Sequence, residues 1–259
     1  MKPGLKDLLD GFRQRHIFLY LGYEDIRQKY IRTTLGPLWL IIGTFVFACT
    51  MSLVMGSLFN QSISSFLPFI TIGIATWTYI ATSTTDATTI FISSYSIISF
   101  FNLPISIQLY RCLVRNVLVF LHSFVVIIPM IIFMDTPINF NTLLVIPGLI
   151  LLILNLLWIT TIFAMFSTRY RDFQQVINIL IGIVPFVTPI FWQKQFLAKR
   201  QWIVDFNPVY HAIEVIRAPL LGQAPHYSSW LAMVLCLIIG TLVMIVFMNQ
   251  YRNRVVYWL

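Results

Sequence analysis

Charge is scarce in this chain. Only 10% of its 259 residues are charged, whereas 58% are hydrophobic, among them 22 phenylalanines. Soluble domains have about 25% charged and about 45–50% apolar residues, so this composition excludes a protein that stays in water alone. A mean hydropathy of +0.83 agrees, and the sequence predicts an integral membrane protein.

Motifs for nucleotide, metal and hydrolytic chemistry are also missing. The sequence contains no G-x-x-x-x-G-K-[ST] loop, no H-E-x-x-H pair and no G-x-S-x-G elbow. Cys49, Cys112 and Cys236 have no metal-ligand spacing and lie in or beside apolar segments, so they are predicted to be small buried hydrophobes. We therefore expect a protein that is not an enzyme.

Long apolar runs are abundant. A helix needs about 20 apolar residues to cross the hydrocarbon core of a membrane. Six segments qualify: 38–59, 67–91, 113–134, 143–166, 176–192 and 230–248. The sequence therefore predicts an all-α fold, with a cytoplasmic or interfacial region over residues 1–36 and a six-span domain over residues 37–259.

Basic residues are distributed unevenly between the connections. With alternating spans, 13 of the 17 lie on one side, which the positive-inside rule makes cytoplasmic. Both termini are then cytoplasmic, and the net charge of +8 is an orientation signal. The thirteen are Lys2, Lys6, Arg13, Arg15, Arg27, Lys29, Arg32, Arg111, Arg115, Arg169, Arg171, Arg252 and Arg254; the other four are Lys194, Lys199, Arg200 and Arg217.

An apolar stripe precedes the first span. Its members recur at spacings of three and four, and the charged side chains fall mostly on the other side of the predicted helix. The apolar set is Leu5, Leu8, Leu9, Phe12, His16 and Leu19, and the charged set is Lys6, Asp7, Asp10 and Arg13. Such a helix either lies in the membrane interface or packs on the protein's own cytoplasmic loops.

The outer loop between spans five and six, residues 193–229, is too long for a simple turn. Within it, Asn207 is a good N-cap, Pro208 suits the first helical position and Gly222 suits the position after the last turn. The loop is therefore predicted to contain a re-entrant helix on the outer side.

Two further features of this outer region point to a pathway. Glu214 and Arg217 are three residues apart and are expected to pair on one face of the helix. Pro185 and Pro189 interrupt the outer half of span five, and freed backbone groups at membrane depth are tolerated only against protein or a water-filled cavity. We expect the helix to gate an exit, with Glu214 and Arg217 fixing its position.

Two groups of charges lie among apolar residues. Asp86, within "TSTTDATT" of span two, has either a structural or pore-lining role or a role as a proton relay. Arg169, Arg171 and Asp172 lie in a tight cytoplasmic turn between spans four and five. They either anchor that turn among lipid headgroups or dock an energy source that this chain lacks.

Three stretches together resemble one known family. They are "YEDIRQKYIRTTLGPLWLII" (23–42), "STRYRDFQQVINILIGIVPFVTPIFW" (167–192) and "NPVYHAIEVIRAPLLG" (207–222), the last followed by Trp230. In order and spacing the chain resembles the membrane permease of type-2 ABC exporters, in the branch that exports lipid-linked polysaccharides such as O-antigen, capsule and teichoic acid. The connection between spans two and three departs from the family pattern. Relatives often have basic residues just before a proline there, whereas in this chain none stands just before Pro104 and the first basic residue after it is Arg111.

The resemblance implies a homodimer in the bacterial cytoplasmic membrane that forms a channel for a lipid-linked polysaccharide, with O-antigen as the closest match. Two separate ATP-binding cassette subunits would lie beneath it and hold ATP and Mg, so this chain itself would bind no cofactor. Its other partner is membrane lipid, and nucleic acid is not expected. Two alternatives stay open: an ion-coupled secondary carrier that uses Asp86, and a type-2 ABC permease for drugs or small lipids.

The candidate site residues fall into four groups. ATPase coupling is assigned to Arg27, Pro104, Arg169, Arg171 and Asp172, and the approach to the first span to Tyr30, Leu35, Gly36 and Trp39. The outer gate is assigned to Asn207, Pro208, Glu214 and Arg217. The channel candidates are Phe45, Trp77, Tyr79, Asp86, Phe191 and Trp192, with a polar face over the Ser/Thr-rich residues 76–89.

Overall fold

The structure, a computed structural model, describes residues 3–31, 33–36, 38–101, 103–134 and 137–259. Pro37, the predicted start of the six-span domain, lies outside these ranges, as do Lys2 and Arg32 of the predicted cytoplasmic set. Helices are the regular elements of the described chain, which confirms the all-α prediction.

The α-helices are α1 (Pro3–Arg13), α2 (Arg15–Tyr30), α3 (Leu38–Leu58), α4 (Ile63–Ser93), α5 (Tyr95–Phe100), α6 (Ser106–Phe124), α7 (Ile127–Phe133), α8 (Val145–Arg169), α9 (Phe173–Val187), α10 (Trp202–Asp205), α11 (Pro208–Leu220), α12 (Tyr227–Tyr251) and α13 (Val255–Trp258). Short 3-10 helices occupy Phe140–Leu144, Lys194–Arg200 and Arg252–Arg254.

Five helical segments of the described chain are long and apolar enough to cross a membrane. They are Leu38–Leu58, Ile63–Ser93, Ser106–Met130, Phe140–Arg169 and Tyr227–Trp258. These segments contain the predicted spans one, two, three, four and six nearly in full, so the prediction of a multi-pass membrane protein is confirmed.

The predicted fifth span is shorter than expected. Its helix, α9, has 15 residues, or about 22 Å at 1.5 Å per residue, against a hydrocarbon core about 30 Å thick. The helix ends at Val187 because Pro189 forces the residue before it out of the helical region; Thr188 has φ −98° and ψ 138°. Residues 188–192 are therefore not helical, and the count of six spans stays a prediction.

The central helix is α4. In its most apolar stretch 72% of the residues are buried, against 11% for α3. Helices α3, α6, α8, α9 and α11 all pack on α4, and Phe66, Ile70 and Ile72 are fully buried there. Because α3 leaves most of its apolar side chains exposed, its outer side must face lipid or another protein surface.

The N-terminal helix has one packed side and one exposed side. One side of α1 packs on α6 and α12 and buries Gly4, Leu8 and Gly11. The other side exposes Leu9 and Phe12, as expected for a helix in the membrane interface. The predicted division between apolar and charged faces does not hold for Asp7, whose carboxylate is buried against the start of α6.

Candidate functional site

The outer helix α11 begins as its sequence predicts. The Asn207 side chain accepts hydrogen bonds from the backbone N–H groups of Val209 (3.0 Å) and Tyr210 (3.4 Å), and Pro208 occupies the first turn. The Asn207 amide also donates to Thr188 Oγ1 at 2.8 Å. The N-cap therefore joins the start of α11 to the residue where α9 breaks.

Arg217 is the hub of the outer region. Its side chain is only 4% exposed, and Nη2 pairs with Glu214 Oε2 at 2.8 Å, as the spacing predicted. Nη1 donates to the backbone carbonyl of Pro189 at 2.7 Å, and the guanidinium lies 4.0 Å from the centre of the Phe69 ring on α4. One cation thus connects α11, the broken end of α9 and the central helix.

The far end of α11 is also held. Gly222 has φ +76°, a conformation that favours glycine, and its carbonyl accepts hydrogen bonds from the side chains of Asn139 (2.7 Å) and Asn141 (3.2 Å). The helix ends at Leu220, after Pro219 and before Gly222, as expected.

A polar cavity of about 510 Å³ opens beside this helix. Glu214, Arg217, Lys194 and Tyr210 line part of it, and Lys194 forms an ion pair with Asp205. Burial, with a smaller effect of the Glu214 carboxylate, raises the pKa of the Tyr210 hydroxyl to about 12. The phenol therefore stays neutral near pH 7 and can donate a hydrogen bond.

A close approach between α8 and α11 is expected to make Gly148 sensitive. A Cβ at this position would lie 2.6 Å from the carbonyl oxygen of Val215, so Gly148→Ala must displace one backbone. We expect a loss of about 1–3 kcal/mol of stability and reduced transport. Thermal unfolding of the purified protein measures the first effect. Gly182→Ala is the matched control, because a Cβ there meets nothing within 4 Å; equal melting temperatures for the two variants would contradict the prediction.

The channel candidates separate into accessible and buried residues. Trp77 and Phe191 border a cavity of about 480 Å³ between α3, α4 and the end of α9, together with Phe47, Thr78 and Phe186.

Three other channel candidates lie elsewhere. Tyr79 is 2% exposed and stacks on Phe120 with 4.8 Å between ring centres. Phe45 is exposed on α3. Trp192 donates its indole N–H to the carbonyl of Phe186 at 3.3 Å. The structure thus brings Trp77 and Phe191 together and places Tyr79 in the core.

The Ser/Thr-rich part of α4 has two sides. Thr76, Ser83, Thr84 and Thr88 are buried. Its accessible side carries a polar stripe at helical spacing, which consists of Thr78, Thr82, Thr85, Asp86, Thr89 and Ser93. The predicted polar face is therefore confined to this stripe.

Asp86 belongs to an ion-pair network that connects α2, α4 and α6. Arg115 on α6 donates to Asp86 at 2.7 Å and lies 3.5 Å from Asp25 on α2. Arg111 binds Asp25 with two hydrogen bonds, of 2.8 and 2.5 Å. Both arginines lie inside α6, which begins at Ser106, seven residues before the predicted third span begins at Leu113; the network lets the helix extend through these charges. A cavity of about 330 Å³ adjoins Asp86, Asp25 and Arg115.

The three charged residues of the turn, Arg169, Arg171 and Asp172, are all exposed and differ in their contacts. Arg169, the last residue of α8, donates to the Tyr170 hydroxyl at 3.0 Å and lies over the rings of Tyr170 and Trp258. Arg171 and Asp172 are exposed, and within the described chain neither is in an ion pair. Asp172 occupies the N-cap position of α9 without a side-chain capping bond.

The remaining coupling candidates lie before α6 and on α2. Pro104 is partly buried and accepts a hydrogen bond from Ile107 N at 3.1 Å. Arg27 is exposed and pairs with Glu24 at 3.3 Å. Sequence reasoning missed two neighbours of Pro104, Phe100 and Phe101, which are 83% and 61% exposed. Their exposure, which only the structure shows, makes them candidates for a contact with another protein, because they lie next to a predicted docking connection.

The approach to the first span contains a tight turn. Gly36 has φ +53°, which explains the need for glycine. Leu35 and Trp39 are exposed, whereas the Tyr30 hydroxyl is buried, and burial raises the pKa of that hydroxyl. The structure places this motif between α2 and α3, apart from the outer helix.

Sequence reasoning also missed the connection of the two termini. Asp7 accepts hydrogen bonds from the backbone N–H groups of Ile105 (3.2 Å) and Ser106 (3.0 Å) at the start of α6, and Arg252 Nε donates to it at 2.8 Å. Asn249 of α12 caps α1 through Gly4 N at 3.1 Å. An acid on an otherwise amphipathic helix gives no sequence signal for partners about 100 and 245 residues away.

The fold is that of a multi-pass membrane protein with an accessible polar stripe on its central helix, and hydrogen bonds and an ion pair join its outer helix to the neighbouring elements. Within the described chain, no group of three His, Cys, Asp or Glu side chains is placed to hold a metal ion. The sequence profile of the ABC-2 type transporter family matches residues 18–221, and the chain belongs to that family. Its members are transport subunits, which confirms the resemblance.

Two curated proteins of Klebsiella pneumoniae are similar over nearly the whole chain. Both are named O-antigen export system permease protein RfbA. One is 22% identical over 240 residues, which cover 92% of this chain and 93% of that protein. The other is 21% identical over 241 residues, with the same coverage.

Proposed function

We propose that this chain is the membrane subunit of an ATP-driven exporter that moves a lipid-linked polysaccharide, O-antigen in the first place, across the bacterial cytoplasmic membrane. The observation that carries the proposal is the similarity to two O-antigen export permeases along 92% of the chain.

The polar stripe of α4 supports a hydroxyl-rich cargo. Thr78 borders the cavity of about 480 Å³ that contains Trp77 and Phe191. Asp86 and Thr89 border the cavity of about 330 Å³ beside Asp25 and Arg115. Sugars offer hydroxyls to polar side chains and C–H faces to aromatic rings, and this path presents both. Because the stripe lies open on one side of the subunit, we propose that a second copy closes the channel in a homodimer.

Contacts between the termini support a cytoplasmic location for both. The Asp7–Arg252 pair and the cap from Asn249 to Gly4 require the two ends to lie on the same side of the membrane. An even number of crossings follows from this. Five segments are long and apolar enough to cross the membrane, so we propose that α9 together with residues 188–192 forms the sixth crossing. The side with most basic residues then lies in the cytoplasm.

Two exposed surfaces are proposed to contact the ATP-binding cassette subunits, which would hold ATP and Mg. One is the turn with Arg171 and Asp172, and the other comprises Phe100 and Phe101 near Pro104. Exposed charged and apolar side chains that have no partner within the described part of the subunit fit a groove on another protein. Arg169 and Arg27 remain coupling candidates, although each already has a partner inside the subunit.

A deletion strain tests the proposed function. Without the gene, surface polysaccharide should be absent and lipid-linked glycan should accumulate inside, and the intact gene should restore export. The tagged protein should purify with an ATP-binding cassette subunit. Transport by the protein alone in liposomes, driven by a proton or sodium gradient, would refute the proposal.

Asp86→Asn separates the exporter from the ion-coupled carrier. Arg115 keeps Asp25 as a second carboxylate partner, so its charge remains compensated after the substitution. We expect export to fall by less than about fivefold, equivalent to about 1 kcal/mol. Surface polysaccharide is the measurement, and Glu24→Gln, which affects an exposed pair with Arg27, is the control. Complete loss of transport with normal assembly would favour the carrier.

A further inference from the structure

Two arginines converge at the cytoplasmic ends of two spanning helices. Arg169 at the end of α8 and Arg254 just after α12 both line a cavity of about 240 Å³. Its other walls are apolar or aromatic, and none of the described residues that line it carries a side-chain carboxylate. We propose that this cavity binds the phosphate of an anionic glycerophospholipid from the cytoplasmic leaflet.

The order of side chains along both helices matches the order of groups in a phospholipid, with apolar rings where the acyl chains lie and arginines where the headgroup lies. On α8, Phe166 precedes Arg169 by one turn, and on α12, Phe247 precedes Tyr251 and Arg254. Because both helices run towards the cytoplasm in the proposed orientation, apolar rings lie at the depth of acyl chains and guanidinium groups at the depth of headgroups. Basic pockets between spanning helices on the cytoplasmic side are typical sites for anionic headgroups.

The local charge favours an anion. The C-terminal ends of α8 and α12 each contribute the equivalent of about half a negative charge. Two arginines outweigh these and leave about one positive charge in the cavity. Arg169 is held in position by the rings of Tyr170 and Trp258, at 5.3 and 5.1 Å, and Arg254 lies 5.9 Å from the Tyr251 ring. Cation–π contacts do not use the N–H groups, so Arg169, whose Nε donates to the Tyr170 hydroxyl, can still donate to a ligand through its terminal nitrogens.

The cavity contains none of the residues of the two proposed ATPase contact surfaces, although Arg169 is also a coupling candidate. The neighbouring Arg171 is exposed, as Arg169 is, but does not line the cavity. The inference rests on the proposed orientation, with both termini cytoplasmic, and it stands whether or not the cargo is a polysaccharide.

Trp258 provides a local fluorescent reporter. The purified full-length protein in detergent is titrated with brominated phosphatidylglycerol or brominated phosphatidylcholine, and the signal of a Trp258→Phe variant is subtracted. We expect half-maximal quenching at about tenfold lower phosphatidylglycerol than phosphatidylcholine. Arg169→Gln and Arg254→Gln should each weaken the phosphatidylglycerol effect about fivefold. Arg171→Gln, with the same charge change, should alter it less than twofold.

Several outcomes overturn the inference. Equal quenching by the two lipids, or an equal loss in Arg171→Gln, shows that no specific site exists. Protection by millimolar inorganic phosphate assigns the cavity to free phosphate, and displacement by a lower concentration of polyprenyl phosphate assigns it to a carrier lipid. Native mass spectrometry of the unmodified protein needs no variant: retained lipids enriched in phosphatidylglycerol relative to the host membrane support the proposal, and retained lipids that match the membrane contradict it.

Discussion

Export of surface polysaccharide is expected to fall at least about tenfold when Arg217 is replaced by methionine. The substitution leaves the Glu214 carboxylate and the Pro189 carbonyl without their donor in a largely buried place. Breaking such a pair costs about 3 kcal/mol or more, and a factor of ten corresponds to about 1.4 kcal/mol. Surface polysaccharide in the complemented deletion strain is the measurement, together with copurification of the ATPase subunit, which should persist.

A double-mutant cycle separates stability from gating. Glu214→Gln combined with Arg217→Met removes the unpaired carboxylate and should recover part of the lost thermal stability. Export should not recover, because the contact between α11 and the end of α9 is still missing. Arg217→Lys should also export poorly, since an ammonium group cannot replace a planar fork that binds two acceptors and stacks on Phe69. Normal surface polysaccharide in the double variant would refute the gating role of this helix.

The outer helix was predictable because its signals are local. Asn207 and Pro208 start the helix, Gly222 follows it, and the spacing of Glu214 and Arg217 makes an ion pair. Each of these features depends on residues within about one helical turn. The carbonyl that Arg217 binds was not predictable, because it belongs to Pro189, 28 residues away.

The spanning helices show the same limit. Hydropathy located five of them nearly in full, since crossing a membrane requires a run of apolar residues whatever the neighbours. The predicted third span begins at Leu113, seven residues after the start of α6 at Ser106, because hydropathy treats Arg111 as lying outside the apolar run. The carboxylates that allow these charges inside the helix come from Asp25 and Asp86 on other helices. Ion pairs between residues so far apart along the chain cannot be recognised from a single sequence.

The ion-pair network around Asp86 favours a structural role for this residue over a role as a proton relay. A proton relay requires a carboxylate that exchanges its proton with water or cargo. Asp86 instead accepts a 2.7 Å hydrogen bond from Arg115 on α6. A structural role in holding α2 against α4 and α6 therefore has a physical basis. The exposed side of the same carboxylate still borders the proposed path.

Asp7→Ala is expected to release the N-terminal helix. The carboxylate is 5% exposed and satisfies two backbone N–H groups at the start of α6 as well as Arg252. Its loss leaves three donors without an acceptor, so we expect about 3 kcal/mol of destabilisation. Limited trypsin digestion after Arg13, at the junction of α1 and α2, measures the release and should become much faster.

Asp10→Ala is the matched control for Asp7→Ala. Asp10 lies on the same helix three residues later, and its contact with Arg13 is 3.7 Å long and exposed. Exposed pairs contribute at most about 1 kcal/mol, so digestion and melting temperature should hardly change. Similar digestion rates for the two variants would mean that the carboxylate of Asp7 does not hold α1 in place.

If Asp7→Ala alone releases the helix, Asp7 also holds the start of α6. That start follows the proposed ATPase contact of Phe100 and Phe101. Surface polysaccharide should then fall with the release, because motion at that contact would no longer be transmitted to α12 through Arg252.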